Sequence, residues 1–358
     1  MFDLDSIIAQ VQENCDISDS RYAGIYSICG LALRLRDLYK WDTGLEPWVE
    51  RESSEILEWI GGKEQKWNEL AEKDLGEITI LGRRYDPFDT KSINALLGCY
   101  GLFYGAGYAH SMKPTFFLAP IENKKEIDGH SIYILGHELA RDLFTTPALS
   151  QEDCVLVRQK SAMAFLWDKI QYIKASGRHA LNFALEVHGL GDKYLKLHPY
   201  MEAITTAETG TFIYHELGEI RDTIFDRNLW REIIAAFPHT PTELLVRTIK
   251  DLLADTNEYG TLSYIIREQK TASLAFYVAF LEALPKRLFP EITDTFCKFT
   301  ERRSWDVIEQ AVLAGYNTAQ KYAGVIIDIY QLGKEKHDGE WMQAEISKRL
   351  LAPLGIVK

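Results

Sequence analysis

The chain has 358 residues, of which 46% are hydrophobic and 26% are charged. This length is enough for two ordinary domains, because a single hydrophobic core seldom grows beyond about 250–300 residues. The composition is too apolar for an intrinsically disordered chain. A formal net charge of -12 argues against nucleic acid or an anionic membrane surface as a partner, since both are bound through clustered Lys and Arg.

The cysteines and the first residues of the chain predict a soluble cytoplasmic protein. Five cysteines occur without CxxC spacing, and an odd number in a chain of this size is not typical of a disulfide framework. The N-terminal sequence MFDLDSIIAQ is acidic where a secretory signal peptide would be basic. No stretch reaches the length of an apolar transmembrane span. We therefore expect free thiols in a reducing cytoplasm.

The first half of the sequence predicts helices followed by a small β element. The runs PTFFLAPI and HSIYILG favour strands, and the intervening ENKKEIDG ends in Asp128-Gly129, which is typical of a hairpin turn. With the earlier EITIL run, this hairpin would form a small antiparallel sheet. The segment INALLGCYGLFYGAGYAH is nearly all apolar, and we interpret it as a buried core helix.

Beyond residue 148 the sequence predicts helices only. Ser150 and Asp153 form a capping box for a helix that would extend to about Ala175. Further helices are predicted at about 179–188, 203–236, 241–258, 261–284, 291–302, 304–333 and 340–350. The predicted fold is mostly α (α+β), with a helical domain that contains the β-hairpin at 1–148 and an all-α bundle or array at 149–358.

Three segments of the sequence resemble a known family. They are NCDISDSRYAG near the start, YHELGEIRDTIFD and PHTPTELLVRTIKDLLADT. Together they look like an uncharacterised bacterial family associated with anaerobic deltaproteobacteria, and the resemblance extends over nearly the whole chain. It implies a bacterial cytoplasmic protein. Because no activity, cofactor or catalytic residue is established for that family, the resemblance assigns no site residue here.

The strongest candidate for chemistry is the helix that contains HELGEIRD. His215, Glu219, Asp222 and Asp226 recur at i, i+4, i+7 and i+11, which places them in one stripe of a helix. The imidazole of His215 and the carboxylates of Glu219 and Asp222 are ligands that suit zinc, iron or manganese, and Glu216 is a possible general base. The motif is neither HExxH nor the Glu-x-x-His of di-iron bundles.

Helical geometry supports a different interpretation, in which this stripe is a solvated helix face. Apolar residues occupy the opposite side of the helix, namely Ile213, Leu217, Ile220 and Ile224. The next helix, which would begin at a Thr240 cap, also carries apolar residues on the side opposite to Asp251 and Asp255. If the two helices pack through their apolar faces, their acidic stripes point away from one another. A metal on the first stripe would then need ligands from another segment, for which the candidates are His188, His198, Glu202 and Glu208.

A second group of candidates flanks the predicted hairpin. His110, His130 and His137 all lie near its strands. They could form a pocket, although isolated histidines beside apolar strands are more often hydrogen-bonded structural residues.

Two functions follow from these patterns. No complete catalytic or nucleotide-binding motif is present, and amphipathic helices are suited to packing, so the leading hypothesis is a non-catalytic interaction or regulatory protein. Its partner would be another protein or a second copy of the chain. The alternative is a metal-dependent (Zn/Fe/Mn) hydrolase or oxidase with His215, Glu219 and Asp222 as ligands and Glu216 as general base.

Overall fold

The computed structural model describes residues 2–190, 197–225 and 227–356. The chain divides into two compact units, residues 1–168 and 169–358. The first unit combines helices with β-sheet, and the second is helical, so the mostly α class with a helical C-terminal region is confirmed. No helix in the described ranges is both long and apolar enough to cross a membrane.

The helices of the first unit begin where side chains can cap them. They are α1 (Leu4–Tyr22), α2 (Ile28–Asp42), α3 (Ser53–Leu70), α4 (Thr90–Leu97) and α5 (Gln159–Gln171), which extends past the boundary. Asp3, Ser27 and Asp89 each accept a hydrogen bond from a backbone N–H of the first turn of α1, α2 and α4. Helix α1 then packs Val11 and Cys15 into a core that it shares with the sheet.

Two sheets belong to the first unit. Their strands are β1 (Ile78–Ile80), β2 (Arg83–Tyr85), β3 (Leu102–Tyr108), β4 (Pro114–Ile127), β5 (His130–Leu135), β6 (Ala140–Arg141), β7 (Ala148–Gln151) and β8 (Cys154–Arg158). Strands β1 and β2 form a separate antiparallel pair. The other six form one sheet in the order β3-β4-β5-β8-β7, with β6 paired to β4, and only β5 and β8 run parallel. The sheet is thus larger than the predicted hairpin.

The predicted hairpin itself is present as β4 and β5. Its turn residues, Asp128 and Gly129, have φ angles of 49° and 83°, as a two-residue turn between twisted strands requires. The polar ENKKEI segment is not a loop, because it continues β4 to Ile127. The EITIL run forms β1, which pairs with β2 and not with the hairpin.

Residues 102–108, which we predicted as part of a buried core helix, form strand β3. Leu102, Phe103 and Tyr104 are all buried. Tyr104 packs against the core that contains α1, whereas Phe103 packs with Phe117 in a second cluster. A strand covered on both faces shows a continuous apolar run instead of alternation, so its hydrophobicity resembles that of a helix.

The helix predicted to start at Ser150 also needs correction. Residues 148–158 form the antiparallel strands β7 and β8, and α5 begins only at Gln159. Val155, Leu156 and Val157 are buried in the sheet, and such short β-branched runs favour a strand over a helix. The expected all-helical region therefore does not begin at residue 149, and residue 148 is the first residue of β7.

In its described residues the second unit is an array of helices, which are joined by short links from Pro241 onward. They are α6 (Arg178–Val187), α7 (Met201–Arg221), α8 (Arg227–Ala236), α9 (Pro241–Thr256), α10 (Thr261–Arg267), α11 (Thr271–Phe280), α12 (Ala283–Leu288), α13 (Pro290–Arg302), α14 (Trp305–Lys336) and α15 (Gly339–Ile346). Helix α9 packs against both α7 and α14, and α6 packs against α11. The helix predicted at 203–236 is two helices, because α7 ends at Arg221.

Gly105 is a position in β3 where an added methyl group would collide with a neighbour. A Cβ atom there would lie 2.0 Å from a ring carbon of Phe117. We expect Gly105→Ala to lower the free energy of unfolding by about 1–3 kcal/mol, because a buried ring must move. Urea unfolding followed by tryptophan fluorescence measures the change.

The matched control is Gly107→Ala in the same strand, where an added Cβ atom meets nothing within 4 Å. The free energy of unfolding of this variant should lie within about 1 kcal/mol of the wild-type value, or be slightly higher. Equal destabilisation of the two variants would show that the collision with Phe117 is not the cause.

Candidate functional site

Helices α7 and α9 approach each other closely at Gly218. A Cβ atom added to Gly218 would lie 2.2 Å from the backbone oxygen of Ala254, so only glycine allows this spacing. The side chain of Asn257 fixes the contact, since its Nδ2 donates to the backbone oxygen of Gly218 at 2.9 Å. Residues 215 and 219 lie on either side of this contact, and they therefore face α9.

The orientation of His215 is set by a carboxylate of α9. Its Nδ1 is 2.8 Å from Oδ1 of Asp255, and its Nε2 is 3.9 Å from Oε1 of Glu219. In the neutral imidazole, which is the form that binds a metal, a hydrogen bond from Nδ1–H to a carboxylate places the lone pair on Nε2. The ring is thus held with Nε2 directed toward Glu219.

Three side chains form a group with the spacing of metal ligands. One ligand atom from each of His215, Glu219 and Asp251 can be chosen so that all three lie within 4.8 Å of one another. One imidazole nitrogen and two carboxylate oxygens suit Mn²⁺, Fe²⁺ or Zn²⁺. Three protein ligands would leave coordination positions for water or a substrate.

Lys250 is a fourth charged residue in contact with this group. Its Nζ donates to Oε2 of Glu219 at 2.8 Å and lies 4.2 Å from the ring centroid of Trp230. The ammonium therefore offsets part of the negative charge of the carboxylates and competes with a metal ion for Glu219. The Trp230 ring gives the ammonium a second favourable contact.

Some residues predicted for the site have other positions. Asp222 follows the last residue of α7, and its Oδ1 accepts the backbone N–H of Ile224 at 3.0 Å, so it stabilises the turn after the helix. Glu216 is buried beside His215 but is not one of the three grouped residues. Asp226 lies outside the described residues. Of the predicted ligands, the structure brings together His215 and Glu219.

Sequence reasoning missed the contribution of α9. Asp251 and Asp255 were expected to point away from α7, whereas both lie against its polar stripe. The reason is that α7 is enclosed on more than one side: Ile213 and Leu217 are buried, and so are Glu208 and Glu216. A signal was present in Gly218, because a glycine within a helical stripe marks a close approach of backbones. None of His188, His198, Glu202 and Glu208 belongs to the group.

The histidines near the hairpin make separate contacts. Nδ1 of His110 is 2.8 Å from Oγ of Ser111, and Nδ1 of His130 is 3.4 Å from the backbone oxygen of Asp153. The ring of His137 lies against Trp41, at a centroid distance of 6.3 Å. These contacts are those of structural histidines.

Comparison with known families covers most of the chain. Residues 6–158 match the N-terminal domain of a family of unknown function, DUF6866, and residues 163–349 match its C-terminal domain. The chain belongs to the DUF6866 family. No curated protein and no solved structure matches it. The expected membership of an uncharacterised family is therefore confirmed, and the α7–α9 site lies in the C-terminal DUF6866 domain.

Charges within this DUF6866 site shift the pKa values of its members. Burial lowers the pKa of His215, but the charge and hydrogen bond of Asp255, together with Glu216 and Glu219, outweigh burial and hold it well above its usual value. Glu219 shows the opposite balance. Burial raises its pKa, but Lys250 and His215 outweigh burial, so the pKa is lowered and the carboxylate is ionised.

Two carboxyl groups of the site titrate near neutral pH. Burial, followed by the charge of Glu219, raises the pKa of Glu216 to about 7. Asp251 is at the exposed edge of the group, yet loss of hydration still raises its pKa to about 7, with His215 opposing and Glu219 adding to the shift. Neutral pH is therefore the range in which the charge of this site changes most.

The pKa shifts predict a pH dependence of stability in the metal-free protein. The raised pKa of His215 contributes stability that is fully present below about pH 6.5 and is lost as the pH rises through the folded-state pKa. Glu216 and Asp251 act in the same direction, because their contributions are fully present below about pH 4 and are lost as the pH passes about 7. We expect the free energy of unfolding to fall between pH 6 and pH 9.

Asp255→Asn tests the cause of this dependence. The change should lower the pKa of His215 in an NMR titration and cost about 1.5–3 kcal/mol at pH 6, where a charge-assisted hydrogen bond is lost. Its cost should be smaller at pH 9. Glu202→Gln, an exposed change on the same helix α7, is the control and should leave the profile intact. A wild-type profile in Asp255→Asn would exclude the His215–Asp255 pair as the source.

Proposed function

We propose that the protein binds a divalent transition metal ion through His215, Glu219 and Asp251. The observation that supports this most directly is the hydrogen bond of 2.8 Å between Nδ1 of His215 and Asp255, which leaves Nε2 of the ring directed toward Glu219. Asp255 would orient the imidazole without touching the metal. This proposal keeps His215 and Glu219 as ligands and replaces Asp222 with Asp251.

The chemistry of such a centre would be hydrolytic or oxidative. A metal with three protein ligands has positions left for water and substrate, and it lowers the pKa of bound water or activates oxygen according to its identity. Glu216 is our candidate for proton transfer, because its pKa of about 7 suits a group that gives and takes protons at neutral pH. Zinc would favour hydrolysis, and iron or manganese would also permit oxidation.

Metal content is the decisive measurement. We expect tag-free wild-type protein to bind close to one equivalent of Mn²⁺, Fe²⁺ or Zn²⁺ by isothermal titration calorimetry and by plasma mass spectrometry. His215→Ala, Glu219→Gln and Asp251→Asn should each weaken binding more than about 100-fold, because each removes a ligand, and loss of a partner that merely orients a ligand already costs about 10–100-fold. Asp255→Asn should fall in that smaller range.

Two controls make the test specific. His179→Ala removes an exposed histidine of the same unit, and Glu202→Gln removes an exposed carboxylate of α7; both should bind metal as the wild type does. Lys250→Met removes the ammonium that competes for Glu219 and should tighten binding. Absence of binding in both the wild type and Lys250→Met would reject the metal centre.

A separate observation supports the interaction hypothesis, which we propose as a second function. Helices α2 and α3 pack together in the first unit, yet they leave Ile28, Leu33 and Leu57 exposed, Ile28 by 89%. Exposed apolar side chains on neighbouring elements are typical of protein interfaces. The partner we propose is a second copy of the chain.

Sedimentation tests this self-association. The wild type should sediment above its monomer mass of 41.0 kDa, and the double variant Ile28→Asp/Leu57→Asp should sediment as a monomer, because two charges would be desolvated in the interface. Leu332→Asp alters an exposed leucine of α14 and is the control. A monomeric wild type at the highest soluble concentration would contradict the proposal.

A further inference from the structure

A cluster of three charged side chains lies buried in the first unit, outside the proposed metal site. Glu138, Arg158 and Arg141 are exposed by only 1%, 2% and 4%. Arg158 Nε donates to Oε1 of Glu138 at 2.8 Å, and Ser161 Oγ donates to the same oxygen at 2.7 Å. One oxygen of the Glu138 carboxylate therefore receives two strong hydrogen bonds.

Three other polar atoms of the cluster lack partners. Within the described part of the chain, Oε2 of Glu138, Nη2 of Arg158 and Nε of Arg141 are buried and have no hydrogen bond. Each unsatisfied buried group of this kind costs free energy, and more so when it is charged. One acceptor and two donors are thus left unsatisfied in one cluster.

Neighbouring aromatic rings bring the three groups together. The guanidinium of Arg158 lies 4.5 Å from the ring centroid of Phe117, which is the β-sheet partner of Arg141. The guanidinium of Arg141 lies 5.5 Å from the ring centroid of Trp41, and Nε1 of Trp41 donates to the backbone oxygen of Glu138 at 2.9 Å. Each of the three charges also acts electrostatically on the others. They therefore surround one corner between β6 and the end of β8.

The nearby carboxylates are already bound to other groups. Asp142 accepts hydrogen bonds from Lys113 at 3.0 Å and from the backbone N–H of Phe116 at 3.2 Å. Asp37 forms an ion pair with Arg36 at 3.2 Å. Two guanidinium groups and one carboxylate give the cluster a net charge of +1. Its occupant should supply at least one negative charge, acceptors for two N–H groups and a donor for Oε2 of Glu138.

We infer that this corner binds a small oxyanion that carries one acidic proton, of the hydrogencarbonate or hydrogenphosphate kind. The charged oxygens of the anion accept from Nη2 of Arg158 and Nε of Arg141. Its hydroxyl group donates to Oε2 of Glu138. A water molecule satisfies the hydrogen bonds but not the charge, and sulfate, which has no proton near neutral pH, places an oxygen lone pair against the carboxylate.

Thermal unfolding and calorimetry of the full chain test this inference in EDTA-treated buffer at pH 7.5. Phosphate and hydrogencarbonate are added separately, with sulfate and chloride at matched ionic strength. We expect saturable binding of phosphate, of hydrogencarbonate or of both, and the stronger of the two identifies the ligand. Sulfate should bind at least about tenfold more weakly, because one charge-assisted hydrogen bond is replaced by repulsion.

Arg141→Met is the variant that separates binding from folding. It should abolish the response to the anion, yet without ligand it should unfold no earlier than the wild type, because it removes a buried charge that forms no ion pair within 4 Å in the described part of the chain and brings the charge of the cluster to zero. Glu138→Gln, whose amide can donate to sulfate, should reduce the preference for the protonated anions.

Arg34→Met is the control, since Arg34 donates to the backbone oxygen of Leu143 at 3.2 Å in the same unit and lies outside the cluster; it should respond as the wild type does. Absence of a saturable response to both phosphate and hydrogencarbonate would overturn the inference and leave buried water as the occupant. Sulfate binding as tightly as these two anions would overturn the assignment of a protonated anion. An unchanged response in Arg141→Met would overturn the inference as well.

Discussion

The close approach of α7 to α9 at Gly218 is the contact on which the candidate site depends. A side chain there would meet the backbone of Ala254 at 2.2 Å, and the helices would have to separate. At the present spacing, His215 reaches Asp255 and Glu219 reaches Lys250, both at 2.8 Å. Because a hydrogen bond weakens steeply when its geometry is disturbed, a small helix shift would break both pairs.

Two clusters of buried charge in the first unit differ in how completely they are paired. In the first unit, Lys113 is fully buried between Asp19 and Asp142, and each carboxylate lies 3.0 Å from its ammonium. Each described member of this set has an ion-pair or hydrogen-bond partner, although burial outweighs the attraction of Lys113 and raises the pKa of Asp19 to about 7. In the cluster of Glu138, Arg141 and Arg158, one acceptor and two donors have no hydrogen-bond partner within the described residues. This contrast within one sheet domain is the reason to assign a ligand to the second cluster and not to the first.

Much of the architecture could be predicted from local sequence signals. The Asp128-Gly129 turn and the Thr240 cap, whose side chain accepts the backbone N–H of Glu243 at 3.3 Å, are fixed by neighbouring residues. Strand β3 could not be predicted, because its apolar run reflects a sheet covered on both faces. Pairing of β8 with β5 depends on residues far apart in the chain, and periodicity carries no information about it.

Only the part of the candidate site that lies on one helix could be predicted from the sequence. His215 and Glu219 share one helical stripe, so spacing alone identified them. Asp251 and Asp255 belong to a different helix, and an amphipathic pattern suggested that they face solvent. That inference assumes that apolar faces always pack together. Helix α7 breaks the assumption because its polar residues are also enclosed: Oε1 of Glu208 accepts from Ser273 Oγ at 2.6 Å in the interior.

Lys250 explains how such a site remains compatible with a folded protein in the absence of metal. Its ammonium binds Glu219, so the carboxylates are not left as an unpaired negative cluster. In domains that depend on a structural metal, removal of the metal unfolds the chain. A tethered ammonium acts at a high effective concentration, so it stabilises the metal-free state and at the same time weakens metal binding. The site we propose is therefore suited to reversible exchange of its metal and not to a permanent structural role.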